Sequence, residues 1–372
     1  MIIPRYNYSL LRRIFYFFPK TFLLLFRDKE LINQPSYYPE REFHKSKLSI
    51  FIDQTIQIFK YGEPEHYYYM YGFDTIYKDE MDKYMPLRPF MNLRDKINLT
   101  TSKHNASCIL RNKLYFGFFA NSLGIKTGNN VALVVKNKIM DLKTLSWHTM
   151  NDLFDKYNGS LFCKKLDGEC GKDIFVLEIK NGSLMMNGEL IDINAFNNTI
   201  LNSTYLLQEK VTQHNEMNRL YPKALNTIRL VTIKNIKTKE IRVFPSNLRI
   251  GAHGAYVDNG SQGGIAVGFD LETGQLYRFG LQKPPYGTKT EKHPDTETVF
   301  SSFTIPFIKE VKEQAIFLHS MLDGIYSIGW DIAITEEGPL FIEGNDNWEL
   351  QAIQRTHGGL KYELFDYLGI DY

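Results

Sequence analysis

The apolar positions of this chain fall into two rhythms. Ile308, Val311, Ala315, Leu318 and Leu322 recur at alternating spacings of three and four, which lays one apolar stripe along a helix and predicts that residues 308–322 pack on a core. RNKLYFGFFANSLGI, starting at Arg111, reads as a second amphipathic helix, and Gly124 stands after its last apolar turn as a C-cap would. Elsewhere the apolar runs are short. VALVV at 131–135 reads as a buried strand, and LFCKK (161–165) with DIFVLEI (173–179) brackets a glycine-bearing turn, which predicts a β-hairpin. Segments 204–211, 228–233 and 241–244 read as further strands. SIGWDIAI (327–334) and PLFIEGN (339–345) read as two more, joined by the turn-rich TEEG. LSWHTMNDLFDKYNG, ending at Gly159, predicts another helix running to a glycine. The fold class is therefore α+β. Residues 1–104 are aromatic-rich, as in HYYYMYGF (66–73), carry no recognisable chemical motif and read as a mostly helical N-terminal region.

Composition narrows this picture only a little. The 372 residues allow two domains or one composite unit, and 43% hydrophobic with 23% charged residues supports a packed core rather than disorder. A formal charge of +2 gives no case for wholesale nucleic-acid binding. Cys108, Cys163 and Cys170 form no disulfide framework and no zinc-ligand cluster, which fits a reducing, cytoplasmic setting. Cys163 and Cys170 read as small packing groups rather than nucleophiles. Residues 14–26, IFYFFPKTFLLLF, are too few to span a bilayer, which takes about 20 apolar residues. With Arg12, Arg13 and Arg27 flanking it, the segment suits an interfacial helix at the inner face of an anionic membrane; the preferred reading is a helix packed on the rest of the chain.

Three stretches carry candidate chemistry. On the terminal hairpin, Glu343 and Asn345 are a two-residue step apart and share a strand face, and pairing across the turn brings Asp331 beside them. Two carboxylates and an amide oxygen suit a hard cation such as Mg2+; a solvated hairpin is the plainer alternative. In FCKKLDGECGKDIFV (162–176) Lys164 ends one strand and a turn containing Gly168 and Gly171 leads into the next, so backbone N–H groups and a lysine are placed to meet phosphate; a plain hairpin turn is the competing reading. The spacing is not that of a Walker A loop. LLQEKVTQHNE (206–216) is an apolar strand running into a polar segment, a weak sign of an adenine site.

In this order the pieces resemble the ATP-grasp superfamily of carboxylate-amine ligases. Lys164 with LDGECGK looks like its lysine and glycine-rich loop, Gln208-Glu209-Lys210-Val211 like its adenine hinge, Glu216 like its ribose carboxylate, and Asp331, Glu343 and Asn345 like its magnesium signature. Lys113 looks like the earlier ATP-binding lysine. NTIRLVT (226–232), LRIGAHG with DNGSQGG (248–264) and GWDIAITEEGPLFIEGNDNWELQ (329–351) are similar to the sugar-transfer-associated branch. The resemblance covers residues 105–360. It implies two α+β lobes, 105–210 and 211–372, sandwiching ATP. It also implies an ADP-forming ligase that uses Mg2+ and joins an amine to a sugar acid or nucleotide-sugar carboxylate through an acyl phosphate in bacterial surface-polysaccharide synthesis. A phosphotransferase acting on a sugar hydroxyl and a nucleotide-binding scaffold remain alternatives.

The chain departs from the family pattern in three places. Gly329 stands where many relatives carry arginine, Lys165 replaces a proline, and Asp346-Asn347-Trp348 replaces Pro-Gly. Arg229 and Arg249 are the catalytic candidates to meet phosphate or substrate charge instead; a surface salt bridge is the plainer reading of either. Loop 259–264 is placed to close over the site. His214, His253 and His293 lie in or near expected loops, where each is either an acid/base contact or a solvated side chain.

Overall fold

Alternating and continuous apolar runs resolve into two antiparallel sheets in a computed structural model, which describes residues 10–371 apart from 100–104, 137, 150, 153–156, 167–173, 181 and 201–202. The first contains β1 (Asn130–Val135), β2 (Lys138–Asp141), β3 (Trp147–Thr149), β4 (Gly159–Lys165), β5 (Ile174–Lys180), β6 (Ser183–Met186), β7 (Glu189–Ile191) and β8 (Thr204–Glu209). Its strand order is β3-β2-β1-β8-β4-β5-β6-β7. The second contains β9 (Thr227–Lys234), β10 (Ile241–Ile250), β11 (Ile265–Phe269), β12 (Leu276–Leu281), β13 (Lys289–Thr290), β14 (Ser327–Thr335) and β15 (Gly338–Asn345). Here the order is β13-β12-β11-β10-β9-β14-β15, so the terminal hairpin lies against β9 at one edge.

The helix expected over 308–322 spans Ile308–Ser320 and buries Ile308, Val311, Ala315 and Leu318. They share a core with Ile228, Leu230, Trp330 and Ile332 from one face of the second sheet. The helix expected within 111–125 spans Lys113–Ser122, and a short helix, Ser107–Arg111, precedes it. Asn112 separates them because its side chain accepts from the N–H groups of Leu114 and Tyr115 at 3.0 and 3.1 Å, starting a new helix at Lys113. Leu110, Phe116, Ala120 and Ile125 from this segment join the second sheet's core.

The start of one expected helix is a strand, while Asp152 is helical and 150 and 153–156, within the same expectation, lie outside the described residues. Within LSWHTMNDLFDKYNG, Trp147–Thr149 is β3, paired with β2. The Asp141 carboxylate accepts from the N–H groups of Lys143 and Thr144, both at 2.9 Å, and folds the turn that returns the chain along β2. Strand pairing thereby overrides the helical spacing of the apolar residues.

The N-terminal region contains helices Leu10–Phe26, Lys47–Tyr61 and Leu87–Leu99, with HYYYMYGF forming turns between the last two. Tyr37, Tyr68, Tyr69, Tyr71 and Phe73 cluster with Ile50, Ile58 and with Leu281 of β12. Polar ties fasten this region to the second sheet. Tyr37 Oη donates to the Gln282 carbonyl at 2.8 Å, and Asn98 Nδ2 donates to the carbonyls of Ser327 and Asp346 at 3.0 and 2.9 Å. Among the described residues, no helix is long and apolar enough to cross a membrane.

Candidate active site

Register explains how the terminal hairpin gathers its polar groups. Asp331 is the cross-strand partner of Glu343 on β15 and of Arg229 on β9, and Gly329 pairs with Asn345. Partners across a ladder share a face, so Arg229, Asp331, Glu343 and Asn345 stand on the side of the sheet opposite Trp330 and Ile332. A bulge makes this possible. Ile332 pairs with Phe341 while Asp331 pairs with Glu343, which leaves Ile342 as the extra residue and turns Glu343 to the face opposite buried Phe341.

A charged row crosses this face. Arg229 grips Asp331 through Nε at 2.5 Å and Nη2 at 3.1 Å, and Arg249 Nη2 donates to the same carboxylate at 2.8 Å. Arg249 also donates to Thr227 Oγ1 at 2.7 Å, while the Thr227 hydroxyl donates to Asp258. Burial alone would raise Asp331, but the two guanidiniums outweigh it and hold the carboxyl at about 2. Burial acts first on Glu343 too and, with ionised Asp331 beside it, raises Glu343. Of the two, Glu343 is therefore the carboxyl that binds a proton more readily. Asn345 Nδ2 donates to Glu343 Oε1 at 3.2 Å and completes the cluster.

The first sheet brings a different group. Lys164 Nζ donates to Gln208 Oε1 at 2.7 Å, and Gln208 Nε2 donates to Asn130 Oδ1 at 2.9 Å, a chain across β4, β8 and β1. Gly128 leaves the room, since a Cβ there would collide with the Gln208 amide. Desolvation lowers the Lys164 ammonium to about 8 against the pull of Glu343, and Lys113 adds to the lowering. Lys164, Lys113 and Glu343 are thus within electrostatic reach of one another across the two sheets. Lys113 sits in the first turn of helix Lys113–Ser122.

The remaining expected residues are placed as follows. Gln208 and Glu209 end β8, where the Glu209 N–H donates to the Asn129 carbonyl at 3.0 Å, and half-buried Val211 follows. Glu216 lies in the short helix Asn215–Leu220 and accepts from Arg219 at 2.6 Å. Gly168 and Gly171, with Cys170, lie outside the described residues. Cys163 is buried and its thiol is pushed up by desolvation, as a packing group should be. The three histidines hold local structure. His214 Nδ1 accepts from the Glu216 N–H at 3.0 Å, His253 Nε2 lies 2.9 Å from Gln282 Nε2, and buried His293 donates to the Gly251 carbonyl at 2.7 Å.

Sequence reasoning missed Thr227, Asp258 and Asn130, whose neighbours are set by register and loop path. It noted two departures whose cause is now visible. A Cβ at Gly329 would come 2.6 Å from Trp348 Cβ, so this position is filled by an indole, and Arg229 approaches Asp331 from the next strand instead. Buried Asp346 accepts from Arg111 at 2.7 and 3.1 Å, tying helix Ser107–Arg111 to the end of β15.

The donor set fits a hard divalent cation. Glu343 and Asp331 are two carboxyl groups in contact with an amide against them, and an oxygen-seeking cation between them would relieve the repulsion that raises Glu343. The guanidiniums use three of the roughly four acceptor sites of Asp331, which leaves one on Oδ1.

Among solved structures, the chain is similar to the D-alanine–D-alanine ligase from Helicobacter pylori, with 15% identity over 71% of this chain and 59% of that one and a TM-score of 0.40. It is similar to an L-amino acid ligase from Bacillus licheniformis at 9% identity over 75% and 52%, with a TM-score of 0.41. An N5-carboxyaminoimidazole synthase from Aspergillus clavatus, solved with ADP and 5-aminoimidazole ribonucleotide, matches at 9% identity over 72% and 53%, with a TM-score of 0.41. The chain spans about half the length of such structures, and likeness at this level adds no weight to any assignment. No curated protein matches the chain. The family comparison is decisive instead: the model described as sugar-transfer associated ATP-grasp matches residues 92–364, which include the charged row, Lys113 and Lys164, and the chain belongs to that family.

Proposed function

We propose that this protein is an ATP-dependent, ADP-forming ligase that activates the carboxylate of a sugar acid or nucleotide sugar and passes it to an amine, in bacterial surface-polysaccharide synthesis. The observation that carries the reading is the approach of Lys164, from the first sheet, and of Lys113, from helix Lys113–Ser122, to Asp331, Glu343 and Asn345 on the second sheet. In the first step a substrate carboxylate oxygen forms a bond to the γ-phosphorus while the bond from phosphorus to the ADP oxygen breaks. In the second, the amine nitrogen bonds to the acyl carbon, inorganic phosphate leaves and the nitrogen gives up a proton. Positioning and charge supply most of the acceleration in such transfers.

The chain's own residues divide that work. Lys164 and Lys113 offer cations to the triphosphate oxygens, and β8 with the 208–211 segment offers an apolar wall and main-chain groups to the base. Glu216 stands as the candidate for the ribose hydroxyls. Arg229 and Arg249 keep Asp331 ionised, so the cluster always offers one carboxylate to a cation. Magnesium, when held by Asp331, Glu343 and Asn345, would supply charge neutralisation on the phosphates. The lobes are taken as 105–210 and 211–372. Glu343→Ala should abolish ADP release in a panel of nucleotide-linked uronic acids with amino acids, while circular dichroism stays that of the parent. Near-normal turnover in the folded variant would overturn the site.

Helix Leu10–Phe26 adds a location to this reading. Phe15, Phe18, Phe22 and Phe26 are 72%, 68%, 60% and 67% exposed and fall on one side at spacings of three and four, while Leu24 is buried and Phe17 packs with it. So broad an apolar stripe, bordered by Arg27 and Lys29, suits the inner face of an anionic membrane. Flotation with anionic vesicles should carry the parent upward and leave a Phe15→Ser, Phe18→Ser, Phe22→Ser variant at the bottom; equal flotation would remove the membrane from the proposal.

A further inference from the structure

Among the described residues, Arg355 and Lys283 form no salt bridge. Arg355, on the short helix Gln351–His357, is 8% exposed, and its Nη1 has no hydrogen-bond partner. Its Nε donates to the Ala352 carbonyl at 3.3 Å, and among the described residues no carboxylate forms a salt bridge with it. Burial lowers its pKa against the opposing pull of Tyr67, Tyr71 and Tyr37 and, last and smallest, of Glu349, which does not reach it as a salt bridge. An unpaired buried guanidinium is among the costliest groups a fold can carry, and it persists where an anion is to be met.

The surroundings point to where that anion goes. A Cβ placed on Gly260 would lie 3.9 Å from Arg355 Nη2, 4.0 Å from Nη1 and 4.0 Å from Lys283 Cδ, so the guanidinium and the lysine stem approach one turn where it lacks a side chain. Lys283 Nζ lies 5.4 Å from the centre of the Tyr67 ring and 3.4 Å from its hydroxyl, and among the described residues it too has no acidic partner. Two residues before Gly260, Asp258 accepts from Thr227, which in turn accepts from Arg249 beside Asp331. One loop therefore touches the charged row with Asp258 and the paired cations with Gly260.

We infer that Arg355, Lys283 and the turn at Gly260 form an anion subsite that takes a phosphate or carboxylate group of the substrate other than ATP, at the seam between the N-terminal aromatic region and the second sheet. The assignment of that anion to the second substrate rests on the ligase reading; the anion site itself does not. A planar guanidinium matches either anion through two parallel N–H donors, and the lysine adds a point charge. Tyr67 comes from a part of the chain that precedes the family match, so this subsite is where the N-terminal region would set which acceptor is used.

Thermal unfolding of the full chain tests the inference, with inorganic phosphate and free glucuronate titrated separately, in the absence and presence of saturating Mg-ADP. The parent should rise by several degrees with one of the two anions, equally with and without nucleotide, and the responding anion identifies phosphate or carboxylate as the group bound. Arg355→Met should start at a higher melting temperature than the parent, because it removes an unpaired buried charge, and should lose the anion-dependent rise. Lys283→Met, nearer the surface, should weaken the response at least threefold. An unchanged anion response in both variants, or none in the parent with either anion, overturns the subsite. Failure of Mg-ADP to stabilise any of the proteins would strike the ligase reading alone.

Discussion

The two sheets handle charge near the site in opposite ways. On the second, Arg229, Asp331, Arg249 and Asp258 answer one another: each guanidinium meets a carboxylate at 2.5 to 3.5 Å. On the first, Lys164 meets the neutral amide of Gln208 and loses much of its hold on a proton. The second sheet is therefore a finished electrostatic unit whose geometry is fixed before any ligand arrives. The first presents a cation that is incomplete without an anion, which is how a group that must bind and release a polyphosphate should stand.

Removing one member from each side gives the largest contrast. Asp331→Ala leaves half-buried Arg229 without a carboxylate and Arg249 with Asp258 alone, and should cost about 3 kcal/mol in urea unfolding. Lys164→Met removes a desolvated ammonium and strands one amide oxygen, terms of opposite sign that leave stability within about 1 kcal/mol of the parent. Its effect should appear in nucleotide binding instead, as at least a tenfold loss of Mg-ATP affinity by calorimetry. Equal destabilisation by the two substitutions would dissolve the contrast. A smaller effect probes the packing behind the row: Gly329→Ala drives a methyl against Trp348 and should cost about 1–3 kcal/mol, with Arg229 the next neighbour to be displaced.

How legible each sheet was follows from the range of the interactions involved. The terminal hairpin could be read because alternation along a strand and a short turn are local, and they alone place Asp331 near Glu343 and Asn345. The bulge at Ile342 could not, since an extra residue shows only when two strands are aligned. Arg229 was singled out for its charge, but its grip on Asp331 depends on the β9 to β14 register, which joins residues about a hundred positions apart. Lys164 was legible as a strand-end lysine, whereas Gln208 was expected to serve the adenine through its main chain and instead also orients Lys164 with its side chain. At Trp147–Thr149 the helical spacing misled because β2 offered a pairing edge that no local pattern reveals. Gly329 and Asp346 looked like losses of function against the family pattern; an indole and an arginine, both distant in sequence, give them their reasons.

The mildest prediction reads the proton on Lys164 directly. Its folded value of about 8 lies below the ordinary 10.5, so as the pH falls from 10.5 towards 8 the unfolded chain takes up a proton that the folded chain refuses. Lys164 therefore adds stability above pH 10.5, loses it through that window and contributes a constant penalty below 8. A bound triphosphate reverses the preference, because an adjacent polyanion favours the charged ammonium. Nucleotide binding at pH 8 should then draw about half a proton from solution, seen as a binding enthalpy that changes with the ionisation enthalpy of the buffer. Between pH 7 and 9 the affinity should fall several-fold in the parent and stay flat in Lys164→Met. Asp331, held at about 2, is ionised throughout this range and adds no slope of its own, so a pH dependence that survives in Lys164→Met would place the titrating group elsewhere and return the two sheets to equal standing.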